Sequence, residues 1–266
     1  SVSIDRINNI LNYDPIEKIA FGTKKIPDLI ENIEFNNVSY RYYEKEQNAL
    51  NNISFKINPN EITAFVGHTG SGKSTIGKIL LRLYKNNNGC ILINNIDIFA
   101  FDKSEYTNLI SVVNQKPFIF NMSIMDNFRL VQKDENKIKE VCKKIGIDKM
   151  ILNLPNGYET ILKEDATNLS GGQKQLISIA RTIMCDTKII IFDEVTSALD
   201  PKTTNHIIKI LNTIKKDKVI ILITHKLDLM KIADKIVLLN NGTVVGIGNH
   251  DQLINNNYYY QKLTKK

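Results

Sequence analysis

The sequence predicts an α/β fold in which a mostly parallel sheet is flanked by helices. In the second half of the chain, runs typical of β-strands alternate with amphipathic stretches typical of helices: Ile189–Phe192, Lys202–Lys215, Val219–Thr224, Leu227–Ala233 and Ile236–Leu239. Such alternation is typical of parallel strands that are joined by crossover helices. The runs that begin at Ile189 and Val219 are apolar throughout, as expected of strands buried on both faces.

The first half of the chain adds more short β-type runs: Ile33–Tyr42, Asn52–Ile57, Ile62–Val66, Cys90–Ile96 and Ile110–Val113. A helix is predicted to follow Gly72 and to run through Leu83, and a later one to cover Gln173–Met184. Between about residues 116 and 175 the chain is more polar and helical, which predicts an inserted helical subdomain. A helix-like piece, Ile4–Leu11, and a segment with Pro15 and Gly22 predict that residues 1–30 are a tether from an upstream domain, leaving 31–266 as the main domain.

Composition places the chain among ordinary globular proteins. Apolar residues make up 42% and charged residues 24% of its 266 residues. The longest apolar runs are too short to cross a bilayer and no signal peptide opens the chain, so we expect a domain that works in the cytosol. The net charge of +7 comes from scattered basic residues, which favours a solvated surface over a nucleic-acid interface.

A phosphate-binding loop is the most informative motif. The pattern G-x-x-x-x-G-K-[ST] is matched by Gly67, His68, Thr69, Gly70, Ser71, Gly72, Lys73 and Ser74, with Thr75 following. It comes directly after one predicted strand and opens a predicted helix, the context that the motif requires. Its backbone N–H groups and the helix N-terminus attract phosphate, Lys73 can reach the β- and γ-phosphates, and Ser74 can bind Mg²⁺. A purely structural glycine-rich turn is the weaker alternative.

Two further segments carry polar groups at the positions that such a loop needs. Asp193 and Glu194 follow an apolar strand, so they are expected to emerge beside the phosphate loop, Asp193 near Mg²⁺ and Glu194 near an attacking water. A helix N-cap explains the same two acids without function. Ser170, Gly171, Gly172 and Gln173 open a predicted helix and, considered alone, are also typical of a plain N-cap.

Taken together and in order, these motifs resemble those of ABC-type ATPase domains. The resemblance covers about residues 33–263. The matching positions are the signature Leu169–Gln173, the Q-loop Gln115, the D-loop Ser197–Asp200, the switch His225 and, in the segment Val38–Tyr42, the adenine-stacking Tyr42 rather than Tyr40 or Tyr43.

The resemblance implies a P-loop NTPase (RecA-like) core with a small antiparallel β subdomain and an inserted helical subdomain. It implies that ATP and Mg²⁺ are bound, with Ser74, Asp193 and Gln115 close to the metal. It assigns catalysis to Glu194, assisted by His225, Lys73 and Gln115. It also implies a head-to-tail dimer, homomeric or heteromeric, in which Ser170 and Gly172 of one copy close on the γ-phosphate held by Lys73 of the other. Gly171, Gln173 and Asp200 are also among the nucleotide-binding residues that the resemblance implies.

Among ABC proteins, the resemblance is to exporters whose membrane domain lies upstream on the same chain. It implies that the ATPase domain lies at the cytoplasmic face of the membrane. Ser3–Leu11 is similar to the joining segment of such exporters, and Gln115–Phe120 is similar to their Q-loop stretch. Glu164 stands where exporters carry an acidic residue that touches the partner's coupling helix, although Lys163 and Ala166 replace glycines. The alternatives are an importer subunit, a soluble ABC ATPase acting on nucleic acid, and a regulator without turnover.

Overall fold

The computed structural model describes residues 19–43 and 45–265, in which the strands form one six-stranded and one four-stranded sheet. The strands are β1 (Ile33–Tyr40), β2 (Leu50–Ile57), β3 (Ile62–Val66), β4 (Asn88–Ile93), β5 (Ile96–Asp97), β6 (Ile110–Val113), β7 (Ile189–Asp193), β8 (Val219–Ile223), β9 (Lys235–Asn240) and β10 (Thr243–Gly248). The helices are α1 (Lys73–Leu80), α2 (Lys103–Thr107), α3 (Ile124–Arg129), α4 (Glu135–Lys144), α5 (Asp148–Leu152), α6 (Gly171–Met184), α7 (Pro201–Ile214), α8 (Leu227–Ile232), α9 (His250–Asn256) and α10 (Tyr258–Thr264). The predicted α/β class is confirmed.

The six-stranded sheet has the order β10-β9-β3-β8-β7-β6. From β9 to β6 the neighbouring strands are parallel, and β10 adds an antiparallel edge. All residues of β3 and β8 are buried, because the sheet is covered on both faces. Since parallel strands end at one edge, the residues that follow Val66, Val113, Phe192 and Ile223 meet there, and this edge carries the candidate site.

The four-stranded sheet has the order β2-β1-β4-β5 and its pairs are antiparallel. Its inner face shares a hydrophobic core with α1 and with one face of the large sheet, where Phe65 and Ile76 pack among its residues. A second core covers the opposite face and includes Phe128, Ile138 and Ile177, which come from α3, α4 and α6. The phosphate loop therefore has a packed layer behind the helix that it opens.

Several elements differ from the sequence-based expectations. The run Cys90–Ile96 forms two strands instead of one, because Asn94 and Asn95 adopt left-handed backbone angles (φ 49° and 64°) and make a turn. Helix α1 ends at Leu80 and not at Leu83, which is 60% exposed.

Strand β10 and helices α9 and α10 have no counterpart among the elements predicted from the sequence, and the predicted Ile4–Leu11 helix lies outside the described residues. Within residues 19–43 and 45–265, no helix is both long and apolar enough to cross a membrane.

Candidate nucleotide site

The phosphate loop connects the end of β3 to the start of α1, and its backbone passes close to neighbouring chain at two glycines. Gly72 occupies the position before α1 with φ 105°, a conformation that L side chains rarely adopt, and an added Cβ would lie 2.8 Å from the carbonyl oxygen of Ala49. At Gly67 an added Cβ would lie 2.3 Å from the carbonyl oxygen of Leu239. These glycines are therefore required for the loop to follow its path.

Lys73 directs its amine back into the loop. Its Nζ donates hydrogen bonds to the carbonyl oxygens of Gly67 (2.9 Å) and His68 (2.8 Å). Burial lowers the pKa of Lys73, and the charges of Glu194 and Asp193 oppose that shift. An ammonium held by two carbonyls at the mouth of a phosphate loop can exchange them for phosphate oxygens, which are stronger acceptors for it.

A polar atom inside the loop also lacks a partner. The Ser71 hydroxyl is buried, and no hydrogen-bond partner exists for it among the residues that the structure describes. Buried hydroxyls are normally satisfied, so this unsatisfied one marks a place where the loop is incomplete without a ligand.

Tyr42 is the aromatic residue best placed beside the loop. Its hydroxyl lies 3.2 Å from Oγ1 of Thr75, in the first turn of α1. The ring packs nearly perpendicular to the rings of Tyr40 and Tyr84, with centroid distances of 4.9 and 5.3 Å, and remains half-buried. Tyr40 is buried (2% exposed) and Tyr43 is 78% exposed, so neither offers a supported ring face as Tyr42 does.

Asp193 and Glu194 stand at the carboxyl end of β7, as the sequence analysis expected. Asp193 is paired in register with Ile223 of β8, and the Glu194 amide donates to the carbonyl oxygen of Ile223 (2.9 Å). Burial, followed by the charge of Glu194, raises the pKa of Asp193 despite the opposing charge of Lys73. The two carboxylates and the lysine therefore interact electrostatically within one site.

Glu194 has an unusual backbone conformation, with φ 48°. A non-glycine residue in the left-handed region costs about 1–3 kcal/mol, and such residues cluster at functional sites. The hydrogen bond from the Glu194 amide and the one that its carbonyl accepts from the Ser197 amide (3.1 Å) hold this turn.

His225 faces Glu194 across the site. Its Nδ1 lies 3.5 Å from Oε1 of Glu194, within ion-pair distance. Both side chains line a cavity of about 560 Å³ whose other walls include Gly67, Thr69 and Lys73. The structure thus brings together the phosphate loop, the acidic pair and the switch histidine that the sequence predicts.

Gln115 and the D-loop meet at a neighbouring position. The Gln115 side-chain amide donates to Oγ of Ser197 (3.0 Å), and both residues line a second cavity, of about 400 Å³. Gly171 of the signature lines this second cavity as well. Gln175, to which the sequence analysis gave no role, donates to the carbonyl oxygen of Asn114 (3.2 Å) and so joins α6 to the residue before Gln115.

The signature residues form a regular helix start. Ser170 and Gln173 make a capping box, in which each side chain accepts a hydrogen bond from the other's backbone amide (3.2 and 2.8 Å). Gly171 has open space around it, whereas a Cβ on Gly172 would lie 2.7 Å from Oγ1 of Thr203. This arrangement matches the plain N-cap alternative and leaves Gly171 free for a contact from outside the chain.

Thr203, which is not among the predicted site residues, links the signature to the D-loop. Its hydroxyl donates to Oδ2 of Asp200 (2.7 Å), the residue that caps α7. The Thr203 side chain and its backbone amide lower the pKa of Asp200 through these hydrogen bonds. A threonine three residues after an N-cap aspartate is a common helix start, so nothing in the sequence alone marks it as a contact of Gly172.

The donor set suits magnesium bound together with a nucleotide. Ser74 supplies a hydroxyl in the first turn of α1, and Asp193 and Gln115 supply oxygens from the ends of two parallel strands. Among the described residues, no cluster of three or more His, Cys, Asp or Glu side chains is placed to hold a metal ion. Mg²⁺ commonly binds through one or two carboxylates together with water and substrate phosphates, so the single carboxylate of Asp193 beside the neutral oxygens of Ser74 and Gln115 fits that mode.

Comparison with known proteins gives matches that cover nearly the whole chain. The family model described as ABC transporter matches residues 50–197. The chain is 34% identical, over 98% of its length and 44% of the relative's, to the putative ABC transporter ATP-binding protein MG015 of Mycoplasma genitalium. It is 38% identical, over 95% of its length and 36% of the relative's, to the alpha-hemolysin translocation ATP-binding protein HlyB of Escherichia coli.

A further relative and a solved structure extend the comparison. The putative multidrug export ATP-binding/permease protein YgaD of Bacillus subtilis is 36% identical over 98% of the chain and 45% of the relative. The structure of a bacterial Atm1-family ABC exporter with ATP bound aligns with a TM-score of 0.88 at 27% identity, covering 99% of this chain and 47% of that one. The chain thus spans less than half the length of the curated relatives described here.

Proposed function

The chain belongs to the ABC transporter family, and from this premise we propose that it is the ATP-hydrolysing domain of an exporter, completed by a second such domain. The observation that carries the proposal is a division of the motifs between two cavities. Lys73, Glu194 and His225 line one cavity, whereas Gly171 of the signature lines the other. A head-to-tail dimer places the signature of one copy over the nucleotide of the other, and ATP then holds the two together.

The nucleotide is bound through its two ends. Tyr42 stacks on adenine, because its half-buried ring is fixed by perpendicular contacts with Tyr40 and Tyr84 and offers an aromatic surface beside the loop. The loop from Gly67 to Thr75 surrounds the phosphates, and Lys73 moves its amine from the carbonyls of Gly67 and His68 to the β- and γ-phosphates. Ser74 and Asp193, with Gln115 nearby, would hold Mg²⁺, which would supply positive charge against the phosphates.

Hydrolysis uses the residues at the carboxyl end of the sheet. A water oxygen bonds to the γ-phosphorus while the bond from that phosphorus to the ADP oxygen breaks, and the water proton passes to the Glu194 carboxylate. His225 hydrogen-bonds the γ-phosphate and holds Glu194, whose Oε1 lies 3.5 Å from its Nδ1. The hydrogen bond from Gln115 to Ser197 connects the Q-loop to the D-loop, so the positions of the two loops depend on each other.

Export is supported by the relatives and by the surface beside Gln115. The names of HlyB and YgaD describe translocation and multidrug export, and the chain covers only part of each. Phe118 and Phe120, 64% and 39% exposed, form an edge-to-face pair (4.8 Å) next to the Q-loop, and Glu164 is exposed nearby in sequence to the signature. Such exposed aromatic rings fit a contact with a membrane domain. In this proposal the membrane domain lies upstream of residues 1–30 on the same chain, and the contact is made at the cytoplasmic face of the membrane.

Concentration dependence of ATP hydrolysis tests the proposal. The specific ATPase activity of the chain is measured while its concentration is raised at saturating MgATP. We expect specific activity to rise with concentration until dimers predominate, because each site needs a second copy. High activity that is independent of concentration would contradict a composite site. The variant Lys73→Ala is the control that identifies contaminating ATPases, since it removes the amine that binds the phosphates.

A further inference from the structure

The C-terminal helix α10 lies against the phosphate loop. The ring of Tyr259 contacts the ring of His68 edge-to-face, with centroids 5.6 Å apart and planes at 85°. Further along the same helix, Leu263 and Thr264 line the cavity that also contains Lys73 and Glu194. The last helix that the structure describes is therefore a wall of the nucleotide site.

Three consecutive tyrosines begin this helix, and each has a different environment. Tyr258 is 70% exposed, and Lys262 lies over its ring with Nζ 4.4 Å from the centroid. Tyr260 is fully buried, and its hydroxyl lies 2.9 Å from Nδ1 of His250. Tyr259, between them, is half-buried and reaches the phosphate loop. Successive helical residues point about 100° apart, which is why the three rings separate so completely.

The contact is made by the Tyr259 ring alone. Its hydroxyl is buried, and among residues 19–43 and 45–265 none hydrogen-bonds to it. His68 is in turn connected to Lys73, whose Nζ donates to its carbonyl oxygen (2.8 Å). A chain of contacts thus runs from Tyr259 through the imidazole of His68 to the backbone group that holds the phosphate-binding amine.

We propose that Tyr259 is a positioning residue for the phosphate loop, which it holds in its nucleotide-binding shape through the ring of His68. The inference rests on the proposed function, in which this loop binds ATP. When Lys73 leaves the His68 carbonyl for the phosphates, the loop loses an internal hydrogen bond. The side chain of His68 is then a remaining point at which the loop is fixed to another element. Tyr259 provides that fixed point from a helix that is itself anchored by Tyr260.

Titration of the chain with MgATP tests the inference, with binding followed by calorimetry and folding by thermal unfolding without nucleotide. Tyr259→Ala is expected to raise the Kd by about two- to tenfold, the range that one aromatic contact covers. Tyr259→Phe retains the ring and loses a hydroxyl that has no partner, so its Kd is expected to match the parent. Tyr258→Ala is the matched control, because it removes a neighbouring exposed ring of the same helix, and its Kd should also be unchanged.

A double-mutant cycle with His68→Ala separates loss of the Tyr259–His68 contact from an indirect effect of the Tyr259 substitution on folding. We expect His68→Ala and the double variant with Tyr259→Ala to bind MgATP equally, since each change already removes the same contact. His68 is an exposed loop side chain, so this arm of the test survives if Tyr259→Ala does not fold; Tyr259→Leu then replaces it. A Kd for Tyr259→Ala or Tyr259→Leu equal to that of Tyr258→Ala would overturn the inference. A parent chain that does not bind MgATP would instead contradict the proposed function.

Discussion

The Nδ1 atom of His225 lies 3.5 Å from Oε1 of Glu194, and the two residues follow the neighbouring strands β8 and β7. The distance is within ion-pair range and long for a hydrogen bond, so the two side chains are close to the geometry that they need without having closed on each other. Glu194 meets His225 from a left-handed backbone position (φ 48°), which the amide and carbonyl hydrogen bonds of its turn maintain.

Removal of this imidazole should therefore reduce turnover more than binding. For His225→Ala we expect kcat to fall by about 10²- to 10³-fold, since a group that orients the base and donates to the transferred phosphate is lost. The Kd for MgATP should change little, because the loop and Lys73 are intact. Steady-state hydrolysis together with equilibrium binding measures both. An unchanged kcat would show that His225 has no part in the chemistry.

Asp193 should reduce the stability of the nucleotide-free domain at neutral pH. Burial raises the pKa of Asp193, so between the unfolded and the folded pKa the folded state binds more protons than the unfolded state. The free energy of unfolding therefore falls as the pH rises through the folded pKa. Asp193→Asn cannot ionise and avoids this loss. We expect its unfolding midpoint without nucleotide to exceed the parent's at pH 7, with a difference that shrinks toward about pH 4.

The same variant should lose the stabilisation that MgATP gives the parent, because it lacks a carboxylate for the metal. Thermal unfolding with and without MgATP measures both effects. A lower midpoint than the parent at pH 7, without nucleotide, would contradict the electrostatic account.

The two signature glycines should respond differently to alanine. An added Cβ at Gly172 would lie 2.7 Å from Oγ1 of Thr203, so Gly172→Ala is expected to destabilise the domain by about 1–3 kcal/mol. Gly171 has open space and lies in the first turn of a helix, so Gly171→Ala should leave folding intact. Although Gly171→Ala should fold, it should lose ATPase activity, because in the proposed dimer Gly171 packs against a second copy. Chemical denaturation and hydrolysis assays separate the effects, and equal stability of the two variants would refute the steric argument.

Arg82 should be important for stability although it lies outside every motif. It is 5% exposed, it has a left-handed backbone (φ 56°), and its two Nη atoms donate to the carbonyl oxygen of Phe101. Its guanidinium carbon lies 4.6 and 4.2 Å from the ring centroids of Phe21 and Tyr106. Loss of these contacts in Arg82→Gln should cost about 2–4 kcal/mol of unfolding free energy.

The matched control for Arg82→Gln is Arg129→Gln, which removes a partly exposed arginine that pairs with Asp126 and Glu135. Its effect on denaturant unfolding should be clearly smaller, because exposed ion pairs contribute little. Equal losses in the two variants would show that the buried cation–π contacts have no special weight.

The sequence predicts the parts of the site that depend on local motifs and on strand order. The loop Gly67–Ser74, the acids at the end of β7 and His225 could all be placed at one edge, because parallel strands end together. Contacts between segments that are distant in the sequence could not be predicted from these motifs. The packing of Tyr259 on His68 depends on how the last helix is docked, and Thr203 beneath Gly172 depends on the angle between two helices.

The boundaries that were wrong have local physical causes. Leu83 was expected to extend the apolar stripe of α1, but Arg82 takes a left-handed conformation and ends the helix. Strand β10 was missed because it is a half-buried edge strand with two glycines, which weakens the periodic pattern. Neither error reaches the site itself, since Lys73 stands at the start of α1 and Asp193, Glu194 and His225 lie at or just after the ends of β7 and β8.

The most direct measurement of the central claim is the mass of the variant Glu194→Gln in solution with MgATP. Gln retains the shape of the side chain but cannot accept the water proton, so turnover should fall by at least about 10²-fold while nucleotide binding persists. If Lys73 of one copy works with the signature of another, trapped ATP should convert the variant to a dimer by light scattering, and ADP should leave it monomeric. A variant that binds MgATP and stays monomeric at every concentration, or that hydrolyses ATP at the parent's rate, would contradict the account.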